Sequence, residues 1–314
     1  MAVMQTRSPL GMKIVFGDSV LGDEELLAKH CEDGSKKLEL LLITTPSTAK
    51  GDVLERRSWL IALANACQEE SARSGDMRES VIASLLDGLE DDIGEVRRTA
   101  VSGLRKVAAQ GDKQILAALL EKARDTDEEV RLEIVQAFST LSCPGDKTVI
   151  KQLTWGMRDA DRDVREAAVT AVACVALPGD ETALGAVWRR FDDNKRSVRL
   201  AAVEAMCTLL SGVNRQVKVD AVHMLIDRLE DWDPQFREAS ITALGDLVSI
   251  DDQVQAQMVA LSLVARLGDK DACVRRSSVE VLEKLAPSCD ADVEAAAKTW
   301  LSHTTHELVR QDVE

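Results

Sequence analysis

Six aspartates and six arginines stand in one register along this chain: Asp91 with Arg97, Asp125 with Arg131, Asp159 with Arg165, Asp193 with Arg199, Asp231 with Arg237 and Asp269 with Arg275. A carboxylate and a guanidinium at a fixed interval could clamp a phosphate or serve as an acid-base pair, so it matters whether chemistry or architecture sets the spacing. Repetition decides it. An active site depends on one irregular constellation, whereas the same pair in every repeat is what a stack of helical hairpins needs to lock one layer to the next. Each arginine is expected to reach turn carboxylates and carbonyls of its own or the adjoining repeat, and the twelve residues are read as a structural ladder.

Other chemistry finds little material. His303 and His306, followed by Glu307, place two imidazoles on one helix face, but no third ligand of matching spacing accompanies them. No metal or cofactor is expected. The sequence holds no Ser-His-Asp order, nucleophile elbow, Gly-rich phosphate loop or dinucleotide fingerprint, so no catalytic residue is assigned. Seven cysteines, none in a C-x-x-C pair, read as small thiols of a reducing compartment. A formal charge of −15 repels a phosphate backbone, and with no tyrosine and 3% aromatics the stacking platforms of single-strand binders are missing. No apolar run has the length of a membrane span, and no basic segment followed by an apolar core opens the chain. Direct nucleic-acid and membrane partners are therefore not expected, and a cytoplasmic location is, with the nucleus as the alternative.

The elements that must carry the ladder follow from its period. Successive aspartates are 34, 34, 34, 38 and 38 residues apart, which is the self-similarity of a stacked helical array. Each repeat reads as a first helix, a turn at the aspartate and a second helix. In the second helices an apolar residue just before the arginine is followed by small or apolar groups at +4, +5, +8 and +11, as in Val130, Ile134, Val135, Phe138 and Leu141. Asp127, Asp161, Asp233 and Asp271 are expected as N-caps, with Pro234 at the first helical position. The pairs Gly111-Asp112, Gly145-Asp146 and Gly179-Asp180 should separate repeats, the glycine ending one helix and the aspartate capping the next. The four extra residues of the last two repeats, about one helical turn, should lengthen their first helices.

The domain plan is then residues 1–50 as a small β-containing fragment and linker, 51–76 as a leading degenerate helix and loop, 77–288 as six repeats, and 289–314 as a capping helix. Two tryptophans break their columns. Trp155 stands four before the turn aspartate, where Asp87, Glu121, Arg189 and Asp227 stand in other repeats, and Trp232 follows the turn aspartate directly. Both are candidate partner-binding anchors. Trp188 shares its column with aliphatic residues and is read as core.

Helix pairs with a turn aspartate, a Val-Arg opening the second helix and Ala/Val/Leu spacing thereafter resemble HEAT repeats, including the short variety of the HEAT-like family that contains bilin lyases. The resemblance spans roughly residues 78 to 288 and implies an all-α, right-handed superhelix of the HEAT/armadillo type whose second helices line the concave surface. It implies a non-catalytic scaffold binding a protein partner there, including one with a basic segment, and acting as a monomer. The stretch from Lys13 to Ile43 resembles the C-terminal half of a ubiquitin-like domain, though no first hairpin and central helix fit before it. Two alternatives accompany these resemblances: a bilin lyase-like factor, and an adaptor in ubiquitin pathways.

Overall fold

A computed structural model describes residues 13–16, 19–21, 41–43, 53–68, 75–213, 215–289, 293 and 295. The histidines at 303 and 306, most of the expected capping helix and most of the first fifty residues lie outside them. Three short strands, β1 (Lys13–Phe16), β2 (Ser19–Leu21) and β3 (Leu41–Ile43), pair antiparallel in the order β2-β1-β3.

All other described elements are helical, and the chain divides into two compact units, Met1–Cys143 and Pro144–Glu314. The first unit contains α1 (Val53–Gln68), the pair α2 (Gly75–Gly88) and α3 (Gly94–Val107), and the pair α4 (Lys113–Lys122) and α5 (Glu128–Leu141). The second contains four pairs: α6 (Lys147–Gly156) with α7 (Arg162–Val175), α8 (Glu181–Trp188) with α9 (Arg196–Leu210), α10 (Arg215–Asp227) with α11 (Pro234–Leu247), and α12 (Gln253–Val264) with α13 (Ala272–Leu285). Within the first unit α1 packs on α3 and α3 on α5, and within the second α7, α9, α11 and α13 pack in succession. Residues 53–68 thus occupy the place of a second helix.

The spacing of apolar residues explains the packing. In α5, Val130, Ile134, Val135, Ala137, Phe138 and Leu141 are buried, and in α9 the homologous stripe runs Val198, Ala202, Val203, Met206 and Leu209. The serines that replace alanine at +4 in the last two repeats, Ser240 and Ser278, are fully buried and satisfied, each hydroxyl donating to the carbonyl four residues back, Phe236 or Val274.

Helix starts follow the expected chemistry. The side chains of Asp127, Asp161, Asp233 and Asp271 accept from backbone N–H groups two or three residues on, and Asp112, Asp146 and Asp180 do the same after their glycines. Gly111, Gly145 and Gly179 take φ of 79°, 80° and 81°, the left-handed region. Each also donates its N–H across the stack, to the carbonyls of Leu141, Val175 and Leu209 at 2.7, 2.7 and 2.8 Å. These acceptors lie at the ends of second helices, where carbonyls lack an intrahelical partner. The first helices of the last two repeats, α10 and α12, have 13 and 12 residues against 10, 10 and 8 for α4, α6 and α8, although α2 of the first repeat has 14. Both α10 and α12 continue into 3₁₀ turns, Arg228–Glu230 and Ala265–Gly268.

Candidate functional site

The ladder has two kinds of rung. In all six repeats Nη1 of the arginine donates to the main-chain carbonyl of its own turn aspartate, at 2.7 to 3.0 Å. The rest of the fork reaches the next repeat. Arg97 Nε and Nη2 hold the Asp125 carboxylate at 2.7 and 2.6 Å, Arg165 holds Asp193 at 2.9 and 3.0 Å, and Arg237 holds Asp269 at 2.8 and 2.6 Å. Each turn carboxylate also accepts the N–H two residues on, so one group ties its own turn and the preceding second helix. Arg56 of α1 supplies a leading rung to Asp91 at 2.7 Å. Arg131 donates to the carbonyls of Asp125 and Thr126, and the Asp159 carboxylate accepts from Asp161 N. Arg275 reaches the carbonyls of Asp269 and Lys270 and no carboxylate among the described residues.

One rung departs from the register. Arg199 bypasses Asp231 for the fully buried Asp233, whose Oδ2 accepts Arg199 Nη2 at 2.6 Å and Arg196 Nε at 2.7 Å. Asp231 keeps only its turn bond to Asp233 N. The cause is aromatic bulk: Phe236 stands where the other repeats have valine, and the Arg199 guanidinium lies 5.4 Å from its ring and 5.1 Å from that of Trp232. A single oxygen now serves two arginines, so the bidentate fork is lost and Arg199 Nε is buried without an acceptor.

Electrostatics matches the geometry. Burial would raise the Asp125, Asp193 and Asp269 carboxyls, but hydrogen bonds from Arg97, Arg165 and Arg237, with turn N–H groups, outweigh it and hold all three below the ordinary carboxylate value. Asp91 goes up, because burial prevails over the Ile93 N–H and Arg56.

The two flagged tryptophans are exposed, Trp155 by 50% and Trp232 by 76%. The Arg158 guanidinium lies 5.7 Å from the Trp155 ring centre and that of Arg199 5.1 Å from Trp232, so each exposed indole has an arginine over its ring. Trp188 differs from expectation: it is half-buried, packed at 4.6 Å on Phe191 and capped by Arg228 at 5.5 Å, at the rim of the core.

The outward side of the second helices was not legible from net charge. In the second unit the exposed positions include Glu204, Thr208, Asp246, Glu280 and Glu283, with Glu166 and Glu238 half-exposed, and the cations there are fewer, chiefly Arg276 and Lys284. In the first unit the same side carries Arg57, Arg98 and Arg105, paired with Glu95, Glu129 and Glu133, and Lys106; Arg98, Lys106 and Glu133 line an open pocket of about 290 Å³ with Ile61, Ala64 and Gly103. Among the described residues no cluster of histidine, cysteine, aspartate and glutamate could hold a metal ion, and no helix is long and apolar enough to cross a membrane.

Comparison with known proteins agrees with this geometry. Residues 82–173 and 116–207 each match the family model for HEAT repeats. No curated protein matches the chain. Among solved structures it is similar to importin beta in an ammonium sulfate condition, with a TM-score of 0.60 and 16% identity, covering 80% of this chain and 37% of that one. It is similar also to Kap121p bound to Ste12p (TM-score 0.58, 14% identity, 76% of this chain and 28% of that one). A third is Kap121p bound to the extreme C-terminus of Cdc14p (TM-score 0.59, 14% identity, 81% and 30%). Residues 82–207 thus match HEAT repeats, and the chain shares the helical-repeat fold of these structures, about a third of whose length it spans. Neither comparison supports a ubiquitin-like reading of residues 1–50.

Proposed function

Given HEAT repeats locked by an arginine ladder, we propose that the chain is a non-catalytic scaffold that holds a protein partner along the outward side of its second helices. The segment lying on residues 144–314 carries basic residues on this reading. What carries it is the row of exposed carboxylates, Glu204, Asp246, Glu280 and Glu283, on helices whose opposite sides are fully used in packing. Such a row attracts a basic segment over roughly a Debye length, about 8 Å at physiological salt. The Kap121p structures, with Ste12p or the Cdc14p C-terminus bound, support a protein as the occupant of such a fold.

The twelve ladder residues have a supporting role: Arg97, Arg165, Arg199 and Arg237 tie one repeat to the next, while Asp231 and Arg275 hold their own turns. Trp155, at the turn end of α6, and Trp232, on the turn before α11, are the proposed anchors for the part of the partner that passes over the turns, large amphipathic surfaces beside an arginine. We place the six repeats at residues 77–288, and take the protein to be a cytoplasmic monomer, since a net charge of −15 opposes self-association.

Affinity purification of the full chain against a Glu204→Lys/Asp246→Lys variant tests this. Both side chains are exposed, so the variant should melt as the wild type does and lose partners that the wild type retains. Unchanged partner recovery by a folded variant would refute the acidic-face assignment.

A further inference from the structure

Three grooves between neighbouring repeats close with the same ion pair, from the residue just before one turn aspartate to the residue three before the next. Glu90 meets Lys122 at 2.7 Å, Asp192 meets Arg228 at 2.9 Å, and Glu230 meets Arg266 at 3.5 Å. Between the third and fourth repeats the acid is missing. Arg158 stands before Asp159, and Arg190 stands three before Asp193. Two cations line the place where those three grooves hold a cation and an anion, and Arg189 adds a third at the rim of an open pocket of about 390 Å³.

The nearby carboxylates are already engaged. Asp193 takes the fork of Arg165 and lies 3.4 Å from Arg190 Nη1, whose stronger bond, at 2.9 Å, goes to the Met157 carbonyl. Asp192 is held by Arg228. Arg158 and Arg189 have no carboxylate partner among the described residues, and Arg158 faces the Trp155 ring at 5.7 Å. We propose that this pocket binds one carboxylate of a peptide, an acidic side chain of a protein partner, whose neighbouring apolar side chain lies against Trp155. The incoming group supplies the anion that Glu90, Asp192 and Glu230 supply elsewhere.

Precedent within the stack selects a carboxylate over a phosphate. In the three closed grooves a single carboxylate, that of Glu90, Asp192 or Glu230, fills this place against one cation. The proposal rests on the scaffold reading only for the carrier of the carboxylate. Short peptides test the pocket itself, so failure of the acidic-face experiment leaves this test standing.

The five tryptophan indole signals of the ¹⁵N-labelled full chain provide the readout. They are followed during titration with blocked tripeptides in which two leucines flank glutamate, glutamine or phosphoserine. The glutamate peptide should shift the Trp155 signal saturably and leave that of Trp232 in place, with binding at least tenfold weaker for glutamine. Arg158→Glu, which recreates the ion pair of the other grooves, should abolish the shift and raise the melting temperature. No shift, equal binding of the glutamine peptide, retained binding by Arg158→Glu, or tenfold tighter binding of phosphoserine than of glutamate would each overturn the proposal.

Discussion

Each ladder arginine carries a different share of stability, and the differences can be read from its partners. Arg165 and Asp193 are nearly excluded from solvent, their side chains 9% and 4% exposed, with both fork nitrogens engaged. Removing one partner strands the other, which costs about 3 to 5 kcal/mol for buried pairs. Arg165→Ala should therefore lower the melting temperature by many degrees in a thermal melt, while Arg275→Ala, which removes only bonds to carbonyls, should cost about 1 kcal/mol. Equal losses would place the stabilisation outside the inter-repeat pair.

The same carboxylates fix the acid limb. Asp125, Asp193 and Asp269 titrate lower in the folded chain than when unfolded, so as pH falls the unfolded chain takes up protons first. Their stabilisation is complete above the unfolded carboxyl value near 4 and is lost as pH drops through the folded values. Asp91 has the opposite sign: its raised carboxyl opposes folding at neutral pH and ceases to do so once protonated. Melting temperature against pH should hold level toward 4 and then fall, and Asp193→Asn should start lower and fall less steeply. Cys207 is a further residue-level case. Burial, then Asp246 and Glu204, push its thiol up to about 11, so at pH 8 it should react with a maleimide well after the exposed Cys174 and Cys273.

At the scale of elements, the glycine joints separate backbone strain from packing. Gly179 has φ of 81°, yet a Cβ there would meet nothing closer than 3.6 Å. Gly179→Ala should cost about 1 to 2 kcal/mol from conformation alone. Gly185, inside α8, has open space around its Cβ position, so Gly185→Ala should stabilise by about 0.5 to 1 kcal/mol. Chemical denaturation of the two variants measures both, and a loss at Gly185 would show that its surroundings are not open. These joints were legible because a Gly-Asp pair is a strong local signal, and the longer α10 and α12 because a period of 38 in place of 34 leaves one helical turn to place. The swap from Asp231 to Asp233 was not legible. Both aspartates fit the repeat pattern, and nothing in the spacing tells which one Arg199 reaches once its guanidinium lies against the rings of Phe236 and Trp232. Trp188 was misjudged as core for a different reason: its column is apolar, but that column is half-buried throughout, Leu86, Leu120, Ile226 and Val264 included.

At the scale of the molecule, the period identified the architecture, because a repeat cannot bury its apolar stripe alone and must stack. Net charge was less informative, since −15 is a sum over surfaces that differ. The first unit turns Arg98 and Lys106 outward from α3, while the second unit turns Glu238 and Asp246 outward from the equivalent positions of α11. A sum cannot reveal that division, nor the cationic groove at Arg158 and Arg190, which appears only when each repeat is laid beside its neighbour.

The scaffold reading places the partner against the second helices of the second unit, and site-directed photo-crosslinking in cells tests that placement most directly. A crosslinking amino acid at Thr208, exposed on α9 beside Glu204, is compared with one at Gln216, exposed on the first helix α10. The expected result is a discrete protein adduct through position 208, mapping to a basic segment of the partner and absent at 216. Adducts at 216 alone, or none at 208 while the chain copurifies with the same protein, would contradict it.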